Sequence, residues 1–234
     1  MNYYVFVLPF LAIGLVLFMQ ARQKKQLQGF DQQYAGFRAG ALAERLGLQL
    51  LKGDPSFNFM VTQASQAYAK GATDKQPMHI EVELSGAPFG APLSLKYLNR
   101  VERETGFSST TLKTWFDCRM TATAKQAFPP FEVTSRKGPV GSIVKQQALP
   151  EAPTGNPAVD ADFQVTTTEP ALAQLLGQVL PDFAGFTSGV HLVGDGERVS
   201  FIMNQTSTPL VASALYHAEL MAHGLSNLAR RLGG

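Results

Sequence analysis

The stretch HAELMAHG near the C-terminus is the closest approach to a metal-binding pattern, with His217, Glu219 and His223. Helical side chains point at one ion only when they are three or four positions apart. The two histidines are six positions apart, so a helix turns them about 240° away from each other. We therefore interpret them as ordinary helix residues and predict no metal site.

Cys118 is the only cysteine and the one candidate for a thiol nucleophile. A reactive thiol needs a neighbouring base and a lowered pKa. Phe116 and Met120 share its face of a predicted strand, which is typical of a small core residue. A lone thiol also excludes an internal disulfide and a cysteine-based zinc cluster, and it suits a reducing compartment.

The remaining motifs have structural explanations. The glycine-containing stretches GAPFGA and GDGE lack the spacing of phosphate-binding loops and are typical of hairpin turns. Asp160 and Asp162 resemble a fragment of a calcium loop, but the other ligand positions are missing, so we expect a capped strand start. An enzyme would have to assemble its site from distant residues such as His79, Asp117 and Arg119. We predict no catalytic residues, no cofactor and no enzymatic activity.

Composition excludes a nucleic-acid binder. The 234 residues are 45% hydrophobic and 16% charged, with a net charge of only +2. Arg22, Lys24 and Lys25 follow the N-terminal apolar run, so the rest of the chain is close to neutral. A nucleic-acid binder would need a concentrated basic face.

The N-terminal segment predicts a membrane anchor. Tyr3–Met19 is a run of seventeen uncharged, mostly apolar residues, which is at the short end of what spans a bilayer. A cleaved signal peptide has basic residues before the run and small residues at the cleavage point, and both are missing here. The basic residues follow the run, so we expect the N-terminus outside and the bulk of the chain in the cytoplasm. The predicted partner of Tyr3–Met19 is membrane lipid.

The next segments predict one helix and four strands. A helix is expected from about Gln26 to Leu46, with Gly47 as its end. HIEVEL and PLSLKYLNRVER alternate apolar and polar residues around a Gly/Pro turn and predict a hairpin with Glu81 opposite Lys96. TLKTWFDCRMTA and FEVTS predict two further strands, which gives a mostly antiparallel β-meander.

The C-terminal part predicts a strand–helix–hairpin–helix unit. FQVTTTEPALAQLLGQVL passes from a strand into a helix, GVHLVGDGERVSFIM is a hairpin around GDG, and a final helix runs from about Pro209 to Leu232. Apolar residues repeat along this last helix at spacings of three and four: Val211, Ala214, Ala218, Met221, Leu225, Leu228 and Leu232. The repeat has two interpretations, packing on the protein's own sheet or a self-association seam.

Together these patterns predict an α+β protein with a single transmembrane helix. We expect an anchor at 1–21, a juxtamembrane helix at 22–52, a β-rich sub-domain at 53–136, a linker at 137–159 and an α+β sub-domain at 160–234. The plan resembles that of many small bacterial inner-membrane proteins. The expected function is a non-catalytic interaction or scaffold module with an unidentified protein partner. An apolar or lipid ligand pocket lined by Trp115 and phenylalanines is the alternative, and an enzyme is less favoured.

Overall fold

The computed structural model describes Phe18 and residues 37–59, 78–105, 110–136, 148–186, 190–203 and 215–233. Apart from Phe18, the predicted anchor Tyr3–Met19 lies outside the described residues, as does the first part of the predicted juxtamembrane helix. Within the described ranges, no helix is both long enough and apolar enough to cross a membrane. The chain from Phe37 onward forms one compact unit.

The described helices and strands confirm the α+β class. In chain order they are α1 (Ala39–Leu46), β1 (Gln49–Lys52), β2 (Met78–Gly86), β3 (Leu93–Thr105), β4 (Thr110–Thr123), β5 (Phe131–Ser135), α2 (Pro157–Asp162), β6 (Phe163–Thr167), α3 (Pro170–Val179), a 3₁₀ helix (Leu180–Phe186), β7 (His191–Gly194), β8 (Arg198–Met203) and α4 (Ala218–Leu232). α1 ends at Gly47, as predicted, because this glycine adopts the left-handed conformation with φ of 64°.

The eight strands form one sheet in the order β1-β2-β3-β4-β8-β7-β5-β6. All of its pairs are antiparallel, and β2, β3 and β4 are the first three strands of the predicted meander. β1 was not among the predicted strands. β5 does not extend that meander, because it pairs with β6 and β7 while β8 pairs with β4. The connection after β4 explains the difference. The amides of Ala124 and Phe128 donate to the carbonyls of Glu197 and Gly196 in the β7–β8 turn, so the chain passes this hairpin before it enters the sheet again.

The predicted register of the first hairpin is wrong by two residues. Lys96 lies opposite Glu83, and Glu81 lies opposite Leu98. The predicted turn SGAPFGA covers 85–91, but β2 continues through Gly86 and the first pair of the ladder joins Gly86 to Leu93. The centre of the turn therefore lies one residue later than predicted, which shifts the pairing by two residues.

The first of the two interpretations of the final helix is the one that the structure supports. α4 packs on β4 and β8 and contacts α1. The side chains of Ala218, Met221, Leu225 and Leu228 are fully buried, while Val211 and Ala214 lie outside the described residues. Burial of these side chains on the protein's own sheet supports the first interpretation.

The segment around Asp160 and Asp162 is a short helix, α2, and not the predicted capped strand start. The side chain of Asn156 caps this helix by accepting from the amide of Ala158 at 3.2 Å. Asp160 also has a structural role, because its Oδ1 accepts from the backbone amide of Thr154 at 3.0 Å and from its hydroxyl at 2.8 Å. β6 begins immediately afterwards at Phe163.

Strands from both sides of the predicted linker at 137–159 belong to the same sheet. β4 from the predicted β-rich part pairs with β8 from the predicted α+β part, and β5 pairs with β6 and β7. The described end of the linker also joins the fold, since the amide of Ala152 donates to the carbonyl of Val165. The two parts therefore share one sheet.

Candidate functional site

One face of the sheet is covered by helices, and the opposite face is open over β2, β3, β4 and β8. Apolar side chains such as Leu84, Leu95 and Met120 point to the covered face and are fully buried. Because side chains alternate along a strand, their neighbours point to the other face. We call that surface on these four strands the open face.

A row of hydroxyl groups crosses the open face. Ser85 lies opposite Ser94, Ser94 opposite Thr121, and Thr121 opposite Ser200, so the four residues are aligned across four strands. The hydroxyls of Thr121 and Ser200 are 3.0 Å apart, which is hydrogen-bond distance. All four residues are partly exposed. This hydroxyl row offers a line of groups that both donate and accept hydrogen bonds.

Charged side chains flank the hydroxyl row in pairs of opposite sign. The pairs are Lys52–Glu81 at 2.5 Å, Lys96–Glu83 at 3.0 Å, Arg119–Asp117 at 3.2 Å and Arg198–Asp195 at 3.3 Å. The hydrogen bond from Lys52 lowers the pKa of Glu81 below its ordinary value, because it favours the ionised carboxylate. Four cations and four carboxylates leave this group of side chains without net charge.

The hydroxyl row and part of the charged pairs line a groove of about 530 Å³. Ten of its twelve lining residues are charged or carry a hydroxyl group, and only Pro92 and Leu93 are apolar. Ligand pockets for apolar molecules are lined mostly by hydrophobic and aromatic side chains. This groove therefore suits a polar ligand.

The same face continues onto β7, β5 and β6, where it is buried. His191 Nε2 lies 2.8 Å from Glu132 Oε1, and these residues are only 5% and 2% exposed. Burial lowers the pKa of His191, and the positive charge of Arg119 lowers it further. The contact with Glu132 raises this pKa and so opposes the shift. A carboxylate that holds an imidazole resembles part of a catalytic dyad. Both side chains are shielded from solvent, so we assign the pair a structural role.

Sequence reasoning missed the pair of Glu132 and His191. The alternation in FEVTS places Glu132 on the face opposite Phe131, but it does not give the neighbouring strand. β5 pairs with β7 across 59 positions of sequence, and no local pattern encodes that pairing.

The residues named for an assembled enzyme site do not come together. Asp117 and Arg119 pair with each other on β4. His79 is an exposed residue of β2 opposite Arg100, and β3 lies between β2 and β4. Two strand spacings separate His79 from β4, which is about 10 Å.

The histidines of HAELMAHG are exposed on α4 and its N-terminal end. The ring of His217 contacts Tyr216 and that of His223 contacts Phe89, with centroids 5.0 and 5.5 Å apart. In the part of the chain that the structure describes, no group of three or more His, Cys, Asp or Glu residues is arranged to hold a metal ion.

Cys118 is fully buried, in agreement with its interpretation as a core residue. Its Sγ donates a weak hydrogen bond to Met203 Sδ at 3.4 Å. Burial raises the pKa of the thiol far above its ordinary value, and the negative charge of Asp117 raises it further.

Several aromatic side chains pack against one another on the covered face. The ring of Phe59 contacts those of Phe37, Phe57 and Tyr97 at 5.2 to 5.8 Å. Phe59 and Tyr97 are each only 2% exposed, which is typical of a core cluster. The side chain of Trp115, named for the alternative ligand pocket, lies outside the described residues.

Comparisons with known proteins give no family assignment. No protein-family model matches the chain, and no curated protein matches it. Among solved structures, the chain is similar to the crystal structure of the mycobacterial trehalose monomycolate transport factor A, TtfA, with a TM-score of 0.42 and 9% sequence identity. The similarity covers 83% of this chain and 94% of that chain. At this level of similarity, neither a shared family nor a shared function follows.

Proposed function

We propose that the protein is a non-catalytic interaction module, held at the cytoplasmic side of a membrane, whose open face binds a protein partner. The observation that carries the proposal is the hydroxyl row, which lines a groove on the helix-free side of the sheet together with part of the flanking ion pairs. The sheet holds these hydrogen-bonding groups in fixed, partly exposed positions, where a partner can donate to them and accept from them.

The chemistry of the groove favours a polypeptide over other ligands. Hydroxyl groups match backbone amides and carbonyls equally well, because each both donates and accepts. The charged side chains include both signs in equal number, which disfavours nucleic acid and other polyanions. The polar lining disfavours the apolar or lipid ligand that the sequence left as an alternative.

The contacts that the charged side chains already make within the protein support a non-catalytic role. Arg119 and Arg198 in the groove each contact a carboxylate of the same face. The imidazole–carboxylate pair of His191 and Glu132 lies below the surface, where a substrate in the groove would not reach it.

Membrane attachment rests on the sequence. Tyr3–Met19 supplies the apolar run, and the basic residues that follow it favour a cytoplasmic position for the domain. Reporter fusions at the C-terminus test this: green fluorescent protein is expected to fluoresce, and alkaline phosphatase is expected to stay inactive. An active phosphatase fusion would show that the domain is exported.

Site-specific photo-crosslinking in intact cells tests the binding surface. A benzophenone amino acid at Ser94 is expected to give a discrete adduct, whereas the same probe at exposed Lys125, outside the groove, is expected to give none. The partner identified from the adduct is then purified, and its affinity is measured for the full-length protein and for Ser200→Arg, which fills the groove. We expect at least a tenfold loss, as for a change at an interface centre. Equal affinity for Ser200→Arg and the unchanged protein would contradict the proposal.

A further inference from the structure

α4 carries a second stripe of residues on the side that faces solvent. Its members recur at spacings of three and four residues, starting just before the helix: Tyr216, Leu220, His223, Asn227 and Arg230, with Arg231 next to the last of them. Leu220 is 63% exposed and Tyr216 is 43% exposed. The buried residues of α4 lie on the opposite side of its axis from this outward stripe.

The outward stripe is apolar at one end and basic at the other. Phe89, in the turn between β2 and β3, packs against the ring of His223 at 5.5 Å and adds an aromatic side chain near the apolar end. Arg230 and Arg231 form the basic end. Glu219 is the one carboxylate in the sequence of α4. An aromatic and aliphatic patch beside arginines is the composition of a helix that rests at a membrane surface.

The chain enters the domain close to the apolar end of this stripe. The guanidinium of Arg45 lies 5.1 Å from the ring centroid of Phe37, the first residue of the compact unit. Nη2 of the same arginine donates to the carbonyl of Leu215 at 2.8 Å. The side chain of Arg45 therefore links Phe37 to Leu215, the residue before Tyr216.

The length of sequence between the proposed anchor and Phe37 limits how far the domain can lie from a bilayer. Eighteen positions separate Met19, the end of the apolar run, from Phe37. They span about 27 Å as a helix or at most about 60 Å when extended. With Tyr3–Met19 in the membrane, Phe37 lies no farther than this from the end of the anchor.

We propose that the outward stripe of α4 lies on the cytoplasmic leaflet. Leu220 and Tyr216 reach the boundary between headgroups and acyl chains, and Arg230 and Arg231 contact anionic headgroups. This inference rests on the proposed membrane attachment and adds an orientation to it. α4 packs on the covered face of the sheet, so the open face then points away from the membrane, toward a cytoplasmic partner.

A second copy of the chain is the competing occupant, and it is less well matched. A stable protein interface buries about 800 Å² on each partner. Two strongly exposed apolar side chains, Tyr216 and Leu220, supply only a small part of that area. For shallow insertion at a membrane surface, a few such side chains beside basic residues are sufficient.

A fluorescent label at position 220 tests the orientation in the full-length protein. The environment-sensitive dye NBD is attached to Leu220→Cys, and the buried thiol of Cys118 is expected to stay unlabelled. The labelled protein is reconstituted into vesicles of phosphatidylcholine and phosphatidylglycerol. We expect blue-shifted emission and loss of fluorescence when the lipids carry a shallow spin-label quencher. The matched control, Lys96→Cys on the open face, is expected to show neither.

Flotation of the same vesicles separates the two proposals. Protein that floats with the vesicles but shows no quenching at position 220 overturns the orientation and leaves the membrane attachment intact. Protein that does not float overturns the attachment itself. A blue shift at position 220 that lipid quenchers leave unchanged, and that weakens when the protein is diluted in lipid, would identify a second copy as the occupant and overturn the orientation.

Discussion

Replacing Gly224 by alanine is predicted to force α4 away from the 3₁₀ helix. A Cβ at this position would lie 2.8 Å from Cζ of Phe183, and 3.2 and 3.3 Å from its two Cε atoms. Phe183 is fully buried and stacks on Phe201 with ring centroids 6.4 Å apart. The ring therefore has little room to retreat, and the added methyl group overpacks the core.

Two opposing terms determine the size of the effect. Overpacking a well-filled core costs about 1–3 kcal/mol. Alanine favours a helix interior over glycine by about 1 kcal/mol, which offsets part of that cost. We expect Gly224→Ala to lower the free energy of unfolding by about 1 kcal/mol, which corresponds to a melting temperature lower by about 2–4 °C for a chain of this size.

Urea unfolding of the full-length protein in mild detergent, followed by the fluorescence of its single tryptophan, measures this change. Asn227→Ala on the partly exposed side of the same helix is the control for helix propensity, and it should stabilise by about 0.5 kcal/mol. Phe183→Leu in the Gly224→Ala background should relieve the clash, so the double variant should lose at least about 0.5 kcal/mol less than the sum of the single variants. A Gly224→Ala protein that gains stability, or strict additivity with Phe183→Leu, would refute the steric reasoning.

Three further predictions concern the side chains of His191, Arg136 and Cys118. Burial lowers the pKa of His191 from its ordinary value of 6.5, so below that pH the unfolded chain binds a proton that the folded chain does not. The free energy of unfolding should therefore decrease as the pH is lowered, by at most about 1.4 kcal/mol per pH unit. Urea unfolding at pH 5 to 8 measures this slope. The variant His191→Gln, which can still donate to Glu132, should flatten it. Arg136 donates to the carbonyls of Asp160 and Phe163 and pairs with Glu151. Arg136→Ala should therefore cost about 1 kcal/mol of unfolding free energy and Glu151→Ala less than about 0.5; equal losses would contradict this assignment. Cys118 should react with Ellman's reagent only on unfolding, and a fast reaction in native buffer would show that its burial is incomplete.

The strands were predictable because their residues alternate. The residues of β2, β3 and β4 switch faces at every step, and the apolar members are those that the helices cover. That signal is local, so a single sequence is sufficient to read it. The apolar repeat of the final helix had the same origin, and the burial of Met221 and Leu225 on the protein's own sheet supports the first of its two interpretations.

Pairing between distant strands was not predictable. The hairpin register depended on where the turn begins, because β2 continues through Gly86 and the first pair joins Gly86 to Leu93. The place of β8 beside β4 depended on backbone hydrogen bonds between the β4–β5 connection and the β7–β8 turn. The hydroxyl row exists only because Ser94, Thr121 and Ser200 align across strands that are separated in sequence, so no pattern in one segment indicates it.

The ion pairs of the open face have a structural explanation of their own. Lys96 lies directly opposite Arg119, and like charges in that position destabilise a sheet. Lys96 pairs with Glu83, and Arg119 pairs with Asp117, so each carboxylate offsets the repulsion between the two cations. The hydroxyl row also contributes to the sheet, because the hydroxyls of Thr121 and Ser200 join β4 to β8 at 3.0 Å, a cross-strand contact of the kind that stabilises a sheet. Both features of the open face therefore have a structural explanation, and the proposal of partner binding rests on their exposure together in one groove.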